Sequence, residues 1–432
     1  MSQVASFTEW TTSRTLHAIG TNFKSEPIPF QGWKKFKEAF APELIYRAVE
    51  ESTIKVKRIL DPFGGSGTTA LAAQFLGVHA VTCEINPFLA DLIAAILQKY
   101  DLPALVSDFA EITSAIRILR FDIGSPESDA RENSDRWLPP TFVEPGVNDR
   151  WLFSKTLFTF IDRVLAKTSQ LDNSDNARLI KVIVGGTLVD LSNARVSGKG
   201  RRYRSSWSTR EATVDHAANV ITGALKSALS DVSKHNVRSC HSFELIRGDA
   251  RSALENVALV DLCVFSPPYP NSFDYTDVYN IELWMLGYLE DMAQNRSLRS
   301  STLSSHVQIK RDYSAAPSGS PTLKTTLAKL ESVRSNLWSA DIPDMIGAYF
   351  AEMSSILLRT KAVLRASGQA WLVVGDSRYA NIEVPVALIL QELAESLGYS
   401  VVTKEPFRSM RSSPQQGGEL DLAETLLVLQ KN

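Results

Sequence analysis

Cysteine is scarce in this chain, three among 432 residues, and the three stand apart as Cys83, Cys240 and Cys263. None sits in a C-x-x-C pair or in histidine-rich company, so neither a disulfide framework nor a zinc site is written into the sequence. Cys83 and Cys263 fall inside apolar runs and read as small buried hydrophobes, a usage that fits a reducing, cytoplasmic setting. Net charge is nearly absent too: 46 Lys and Arg against 48 Asp and Glu leave −2. No global positive field therefore announces nucleic acid, and any such surface must be a local patch. No apolar run approaches the roughly 20 residues that a membrane span needs. The opening MSQVASFTEWTTSRTLHAIG lacks the apolar centre of a secretory signal. The six histidines (17, 79, 216, 235, 241 and 306) are scattered, and no metal is expected. No internal repeat or heptad run is found.

What is present is a 44% hydrophobic content, arranged as strand and helix patterns that alternate in two blocks. In the first, VKRIL (56–60) is a short strand, TTALAAQFLG (68–77) a helix closed by Gly77, VHAVTCE (78–84) a strand, and PFLADLIAAILQKY (87–100) a helix with proline in its first turn. In the second, LVDLCVF (259–265) is a strand and a long helix spans about 343–365. QAWLVVG (369–375) is the next strand, VPVALILQELAESLG (384–398) a helix, and YSVVTK (399–404) and ETLLVLQ (424–430) are closing strands. Such alternation predicts a parallel sheet covered by helices, and the last two strands, with no helix between them, predict an antiparallel edge pair. Between the blocks the texture changes. Residues 122–149 are polar and rich in Pro, Gly and Ser. Three helical patterns follow within 150–235, so 122–240 reads as a helical insertion in the α/β domain. A second insertion, 292–342, is rich in Ser, Thr and Arg and is expected to cover the sheet's C-terminal edge.

The junction ILDPFGGSGTTAL (59–71) is the first candidate site. A strand ends at Asp61, and Pro62, Phe63, Gly64, Gly65, Ser66 and Gly67 lead into a helix opening at Thr68 and Thr69. Glycines let backbone approach a ligand closely, and the helix start offers free N–H groups. A P-loop fits poorly, because no lysine follows the last glycine. Residues 65–70 satisfy G-x-G-x-x-A, the dinucleotide pattern, and an S-adenosylmethionine loop fits equally well. Glu84, in TCEINP with Ile85 and Asn86, serves either adenosine cofactor, since a carboxylate accepts from both ribose hydroxyls. A glycine turn with no ligand is the plain alternative.

DLCVFSPPYPNSFDY (261–275) is the second. Pro267 and Pro268 stop a buried strand because proline gives no N–H to a ladder. Ser266 is left at a rigid strand end beside Tyr269; a strand followed by a proline turn is the bland reading. Taken with the glycine loop, the segment favours methylation of an exocyclic amine over hydride transfer. An amino group on cytosine or adenine is a poor nucleophile, because its lone pair is delocalised into the ring. Acceptors placed against its two N–H groups favour a localised, tetrahedral nitrogen, and the Ser266 hydroxyl and Pro267 carbonyl are such acceptors. Tyr269 is suited to stack on the base, a contact worth about 1–3 kcal/mol.

DPFGGSGTT and SPPY together resemble the amino-methylating DNA methyltransferases, which modify cytosine N4 or adenine N6, in the permutation that places the cofactor half first. FAPELI (40–45) looks like the segment that closes over the methionine end of the cofactor. IRGDARSAL (246–254) looks like the third cofactor motif, with Asp249 on the adenine amino group and Ala250 beside it. The resemblance covers roughly 25–120 and 241–432. It implies a class I methyltransferase fold, a Rossmann-like, seven-stranded, mostly parallel sheet with its last strand antiparallel, formed by 1–121 and 241–432. It implies S-adenosylmethionine as cofactor, with a valine at Gly67 expected to intrude on the cofactor's space. Ser at the first catalytic position leans toward cytosine N4. Double-stranded DNA, and a separately encoded restriction endonuclease or defence subunit, are the implied partners. Glu84 and Asp249 lie 165 residues apart, further than a compact methyltransferase needs, and the helical insertion fills the gap. Within it, NARVSGKGRRYRSSW (193–207) gathers Arg195, Lys199, Arg201, Arg202, Tyr203 and Arg204, read as a flexible loop for phosphate and base contact. FRSMRSSP (407–414) is a weaker basic stretch.

Overall fold

The computed structural model describes residues 6–12, 14, 25–35, 39–122, 136–197, 200–207, 212–411 and 421–432. Seven strands form one sheet: β1 (Arg58–Asp61), β2 (His79–Glu84), β3 (Phe243–Arg247), β4 (Val260–Phe265), β5 (Leu364–Gly375), β6 (Tyr399–Arg411) and β7 (Asp421–Lys431). Their spatial order is β3-β2-β1-β4-β5-β7-β6. The pairs β1–β2, β2–β3, β1–β4 and β4–β5 are parallel. β7 runs antiparallel to both β5 and β6. This is the class I methyltransferase sheet, reversed last strand included, and the closing strands do form the antiparallel pair at one edge.

The strands alternate as a sheet buried on both faces must. Ile59, Leu262, Val264, Trp371, Val373, Leu426 and Val428 enter one apolar core. Leu60, Cys263, Phe265, Leu372, Val374 and Leu427 enter the other. Each such side chain contributes roughly 1.5–3 kcal/mol when fully buried, so the register of the sheet is strongly fixed. The helix Thr68–Phe75 ends as its sequence dictates. Gly77 takes φ +75°, its N–H and that of Val78 bond back to Gln74 and Ala73, and the chain turns into β2.

The insertion contributes the helices Lys155–Ser169, Ser174–Leu191 and Val214–His235, capped by the side chains of Ser154, Asn173 and Thr213. A further helix, Leu102–Asp122, precedes them. Their apolar faces join the core on the first face of the sheet, continuous with the helices Thr68–Phe75 and Pro87–Leu97. The basic stretch expected as a loop is instead an antiparallel hairpin of Ala194–Ser197 with Gly200–Tyr203. Ala194 is buried, Val196 and Tyr203 pack against the core, and Arg195 and Arg202 stand opposite one another on the exposed side. Period-two alternation is therefore present, and strand pairing satisfies backbone groups that a loop would leave to water. Lys199 lies outside the described residues.

Candidate active site

The carboxyl ends of β1, β2, β3 and β4 share one edge of the sheet, and β1 sits where the strand order reverses. In open parallel sheets that crevice is where ligands bind. At the end of β1, buried Asp61 accepts the N–H of Phe63 at 2.9 Å. The glycine loop is then stapled to β2: Gly64 N–H donates to the Cys83 carbonyl at 2.8 Å, and Gly65 N–H to Glu84 Oε2 at 2.7 Å. The second Glu84 oxygen accepts the N–H of Asn86 at 2.8 Å. Gly64 has no room for a side chain, since a Cβ would lie 2.5 Å from Thr82 Oγ1. Burial pushes the Glu84 carboxyl up to about 7 and the Asp61 carboxyl up to about 6. It also raises the Cys83 thiol to about 12, so that cysteine is inert at neutral pH.

A cavity of about 440 Å³ opens at this edge, within the range of sites that enclose small organic ligands. Phe40, from the segment before the helix Pro42–Glu50, lines it, together with Asp61 to Ser66, Thr68, Thr69, Glu84, Ile85, Asn86, Asp249 and Ala250. Ser266, Pro267, Pro268 and Tyr269 line the same cavity. The two motifs, far apart in sequence, thus share one space. Its donor set suits an adenosine cofactor: carboxylates at Glu84 and Asp249 face inward, and each retains lone pairs beyond those its neighbours use. Asp249 caps the turn Ala250–Ala253 and is held by Arg251 at 2.6 Å.

Gly67 is the exception among the expected cofactor residues, because it does not line the cavity. It caps the helix Thr68–Phe75 at φ +79°, and a Cβ there would face Ile93 at 3.1 Å. Its glycine is required by backbone conformation and packing, so a valine there would strain the helix start itself.

At the end of β4, Ser266 Oγ donates to the Tyr269 hydroxyl at 3.3 Å, and that hydroxyl donates to Glu424 Oε1 at 3.1 Å. Asp274 caps the short helix Tyr275–Val278 and pairs with Arg299 at 2.5 Å. The motifs did not point to Glu424 or His306, both of which line the cavity. Glu424 carried a signal: it is a charge at the head of an otherwise apolar strand pattern. His306 carried none. It is 1% exposed, burial lowers its pKa to about 4, and Arg311 lies 2.9 Å from its Nε2. A guanidinium only donates, so Nε2 accepts and the ring proton sits on Nδ1.

The basic hairpin does not line the cavity but abuts its rim. The Arg201 N–H faces Asp277 Oδ2 at 3.5 Å, and its guanidinium lies 5.5 Å over the Phe142 ring. Arg204 is engaged within the insertion, its guanidinium donating to the carbonyls of Ser192 and Val189 at 3.3 and 3.2 Å. Arg195 and Arg202 are exposed. Residues 412–414 of the second basic stretch lie outside the described residues. Among the described residues, no helix is long and apolar enough to cross a membrane, and no group of three or more His, Cys, Asp or Glu could hold a metal ion.

A family model described as DNA methylase, of the N6/N4 amino-methylating type, matches residues 6–95. The Type II methyltransferase M.BsoBI of Geobacillus stearothermophilus is 26% identical over 452 residues, covering 92% of this chain and 85% of that protein. The Type II methyltransferase M.AvaI of Nostoc sp. is 26% identical over 445 residues, covering 93% and 86%. Among solved structures, TrmN from Thermus thermophilus overlaps 94% of this chain and 53% of its own at 10% identity and a TM-score of 0.29; the strand order, rather than that overlap, carries the fold. The chain thus resembles the amino-methylating DNA methylases over residues 6–95 and Type II methyltransferases along nearly its whole length, and S-adenosylmethionine is its methyl donor.

Proposed function

We propose that this S-adenosylmethionine-dependent DNA methyltransferase methylates the exocyclic N4 of cytosine, as the modifying member of a type II restriction-modification system in the cytoplasm. The observation that carries this reading is the single cavity that unites the glycine loop, Glu84 and Asp249 with the Ser266–Tyr269 strand end. In it, Glu84 would accept from the ribose hydroxyls of the bound donor and Asp249 from its adenine amine. Bound there, the donor would supply a methyl group on a sulfonium for attack by the amine lone pair, with the C–S pair returning to sulfur and one amine proton passing to water. Ser266 Oγ and the Pro267 carbonyl accept from the target N–H groups and aim the nitrogen lone pair at the methyl. Holding both partners in line supplies much of the rate.

Serine at the first catalytic position favours cytosine within the resembling family. A base inside a duplex cannot reach Ser266, so it must be flipped out, at a cost of a few kcal/mol that contacts outside the pocket offset. The hairpin beside the cavity rim, with Arg195 and Arg202 exposed, is the element proposed to grip the duplex. The relatives named as Type II methyltransferases support pairing with a separately encoded endonuclease. The test is nucleoside mass spectrometry of DNA from cells expressing the protein. N4-methylcytosine is expected. N6-methyladenine would replace the cytosine reading, and modification of RNA alone would overturn the DNA reading.

A further inference from the structure

Glu424 lies on β7, opposite Gly375 of β5 in the register, and is 3% exposed. It joins Ser266 and Tyr269 in one hydrogen-bonded chain on the lining of the cavity. We propose that Glu424 is a positioning residue that sets the polarity of the Ser266 hydroxyl. An ionised carboxylate accepts and never donates. The Tyr269 O–H therefore points at Glu424, and its oxygen is left as an acceptor for the Ser266 O–H. With its hydrogen committed in that direction, Ser266 Oγ presents only lone pairs to the cavity. An exocyclic amine arrives as a donor, so the hydroxyl meets it already in the accepting sense and needs no reorientation during reaction.

Without the carboxylate the order is no longer fixed. The tyrosine hydroxyl is then free to donate toward Ser266, which turns the serine hydrogen toward the incoming amine and sets donor against donor. Burial, with Glu424 alongside, keeps the phenol far from ionising, so Tyr269 is available as a donor at any working pH. This inference rests on Ser266 being the acceptor for the amine. It holds equally for cytosine and adenine.

The experiment is single-turnover methyl transfer from labelled S-adenosylmethionine to duplex DNA, with cofactor affinity measured by calorimetry on every variant. Glu424→Leu and Tyr269→Phe should each slow transfer about tenfold, the equivalent of one misdirected hydrogen bond, with cofactor affinity unchanged. Glu424→Gln keeps an acceptor oxygen for Tyr269 and should stay within about threefold of wild type. In a Ser266→Ala background, neither Glu424→Leu nor Tyr269→Phe should slow transfer further, because the hydroxyl they orient is gone. If Glu424→Leu does not fold, Tyr269→Phe, which keeps the ring, tests the same link. Equal slowing by Glu424→Leu in the wild-type and Ser266→Ala backgrounds would overturn the proposal, as would a Glu424→Gln enzyme as slow as Glu424→Leu. A Ser266→Ala enzyme at the wild-type rate would instead remove the acceptor assignment beneath it.

Discussion

Cofactor binding should weaken about tenfold between pH 8 and pH 6, because the proposed contact needs Glu84 ionised. In the free protein burial holds this carboxyl at about 7, against an ordinary 4.5, even though the N–H groups of Asn86 and Gly65 pull it down. Ribose hydroxyls donating to the carboxylate favour its charged form, so binding drives the proton off. With a free-state pKa of about 7, the group is roughly nine-tenths ionised at pH 8 and one-tenth at pH 6, a tenfold difference in the binding-competent form. Asp61, raised to about 6 by the same burial, adds a weaker dependence at the acid end. The donor's own α-amino group titrates at roughly 7.7–8.0, so adenosine, which has the ribose without the amine, is the cleaner ligand. Calorimetry from pH 6 to 8.5 on wild type and Glu84→Gln is the assay. The Gln variant should bind more weakly at pH 8 and keep only the shallow, roughly twofold change that Asp61 brings near pH 6. A wild-type dissociation constant constant within twofold across that range, or the same slope in Glu84→Gln, would refute the reasoning.

The ligand-free fold should show the complementary effect. A carboxyl raised in the folded state keeps a proton that the unfolded chain releases at 4.5, so its stabilisation is complete below that value. It is lost as pH rises through about 7. The loss is about 3 kcal/mol for Glu84, and thermal melts should show the free protein less stable at pH 8 than at pH 5. Gly67→Val should cost about 1–3 kcal/mol, because a β-branched residue is forced to positive φ beside Ile93; an unchanged urea midpoint would contradict that account. Arg195→Ala with Arg202→Ala should lower the slope of log affinity against log salt by about 0.9 per lost phosphate contact. Arg204→Ala should leave the slope alone and lower the melting temperature, since that guanidinium serves carbonyls of its own insertion. A double variant with the wild-type slope would move the DNA grip off the hairpin.

Much of this protein is legible in its sequence because the determinants are local. Short, nearly continuous apolar runs mark β1, β2, β4, β5 and β7, as strands buried on both faces of a sheet should. Two prolines end β4 because they carry no N–H, and Gly77 closes a helix because it alone adopts the required φ without strain. The hairpin was legible in principle, but its alternation is carried by Arg195, Val196, Arg201 and Arg202, where charge obscures the inward apolar face. His306 was beyond reach, and so was the place of Glu424 in the site. Glu424 meets Tyr269 across 155 residues of chain, and it does so only because β7 inserts antiparallel beside β5 in the register that sets it opposite Gly375. Gly67 and Gly64 look alike in sequence and both pack against Ile93, yet only Gly64 lines the cavity. Local pattern determines which segments become strands, turns and helices. Which of their ends share a cavity is decided by strand order and register, and these follow from how two apolar faces of one sheet are buried together.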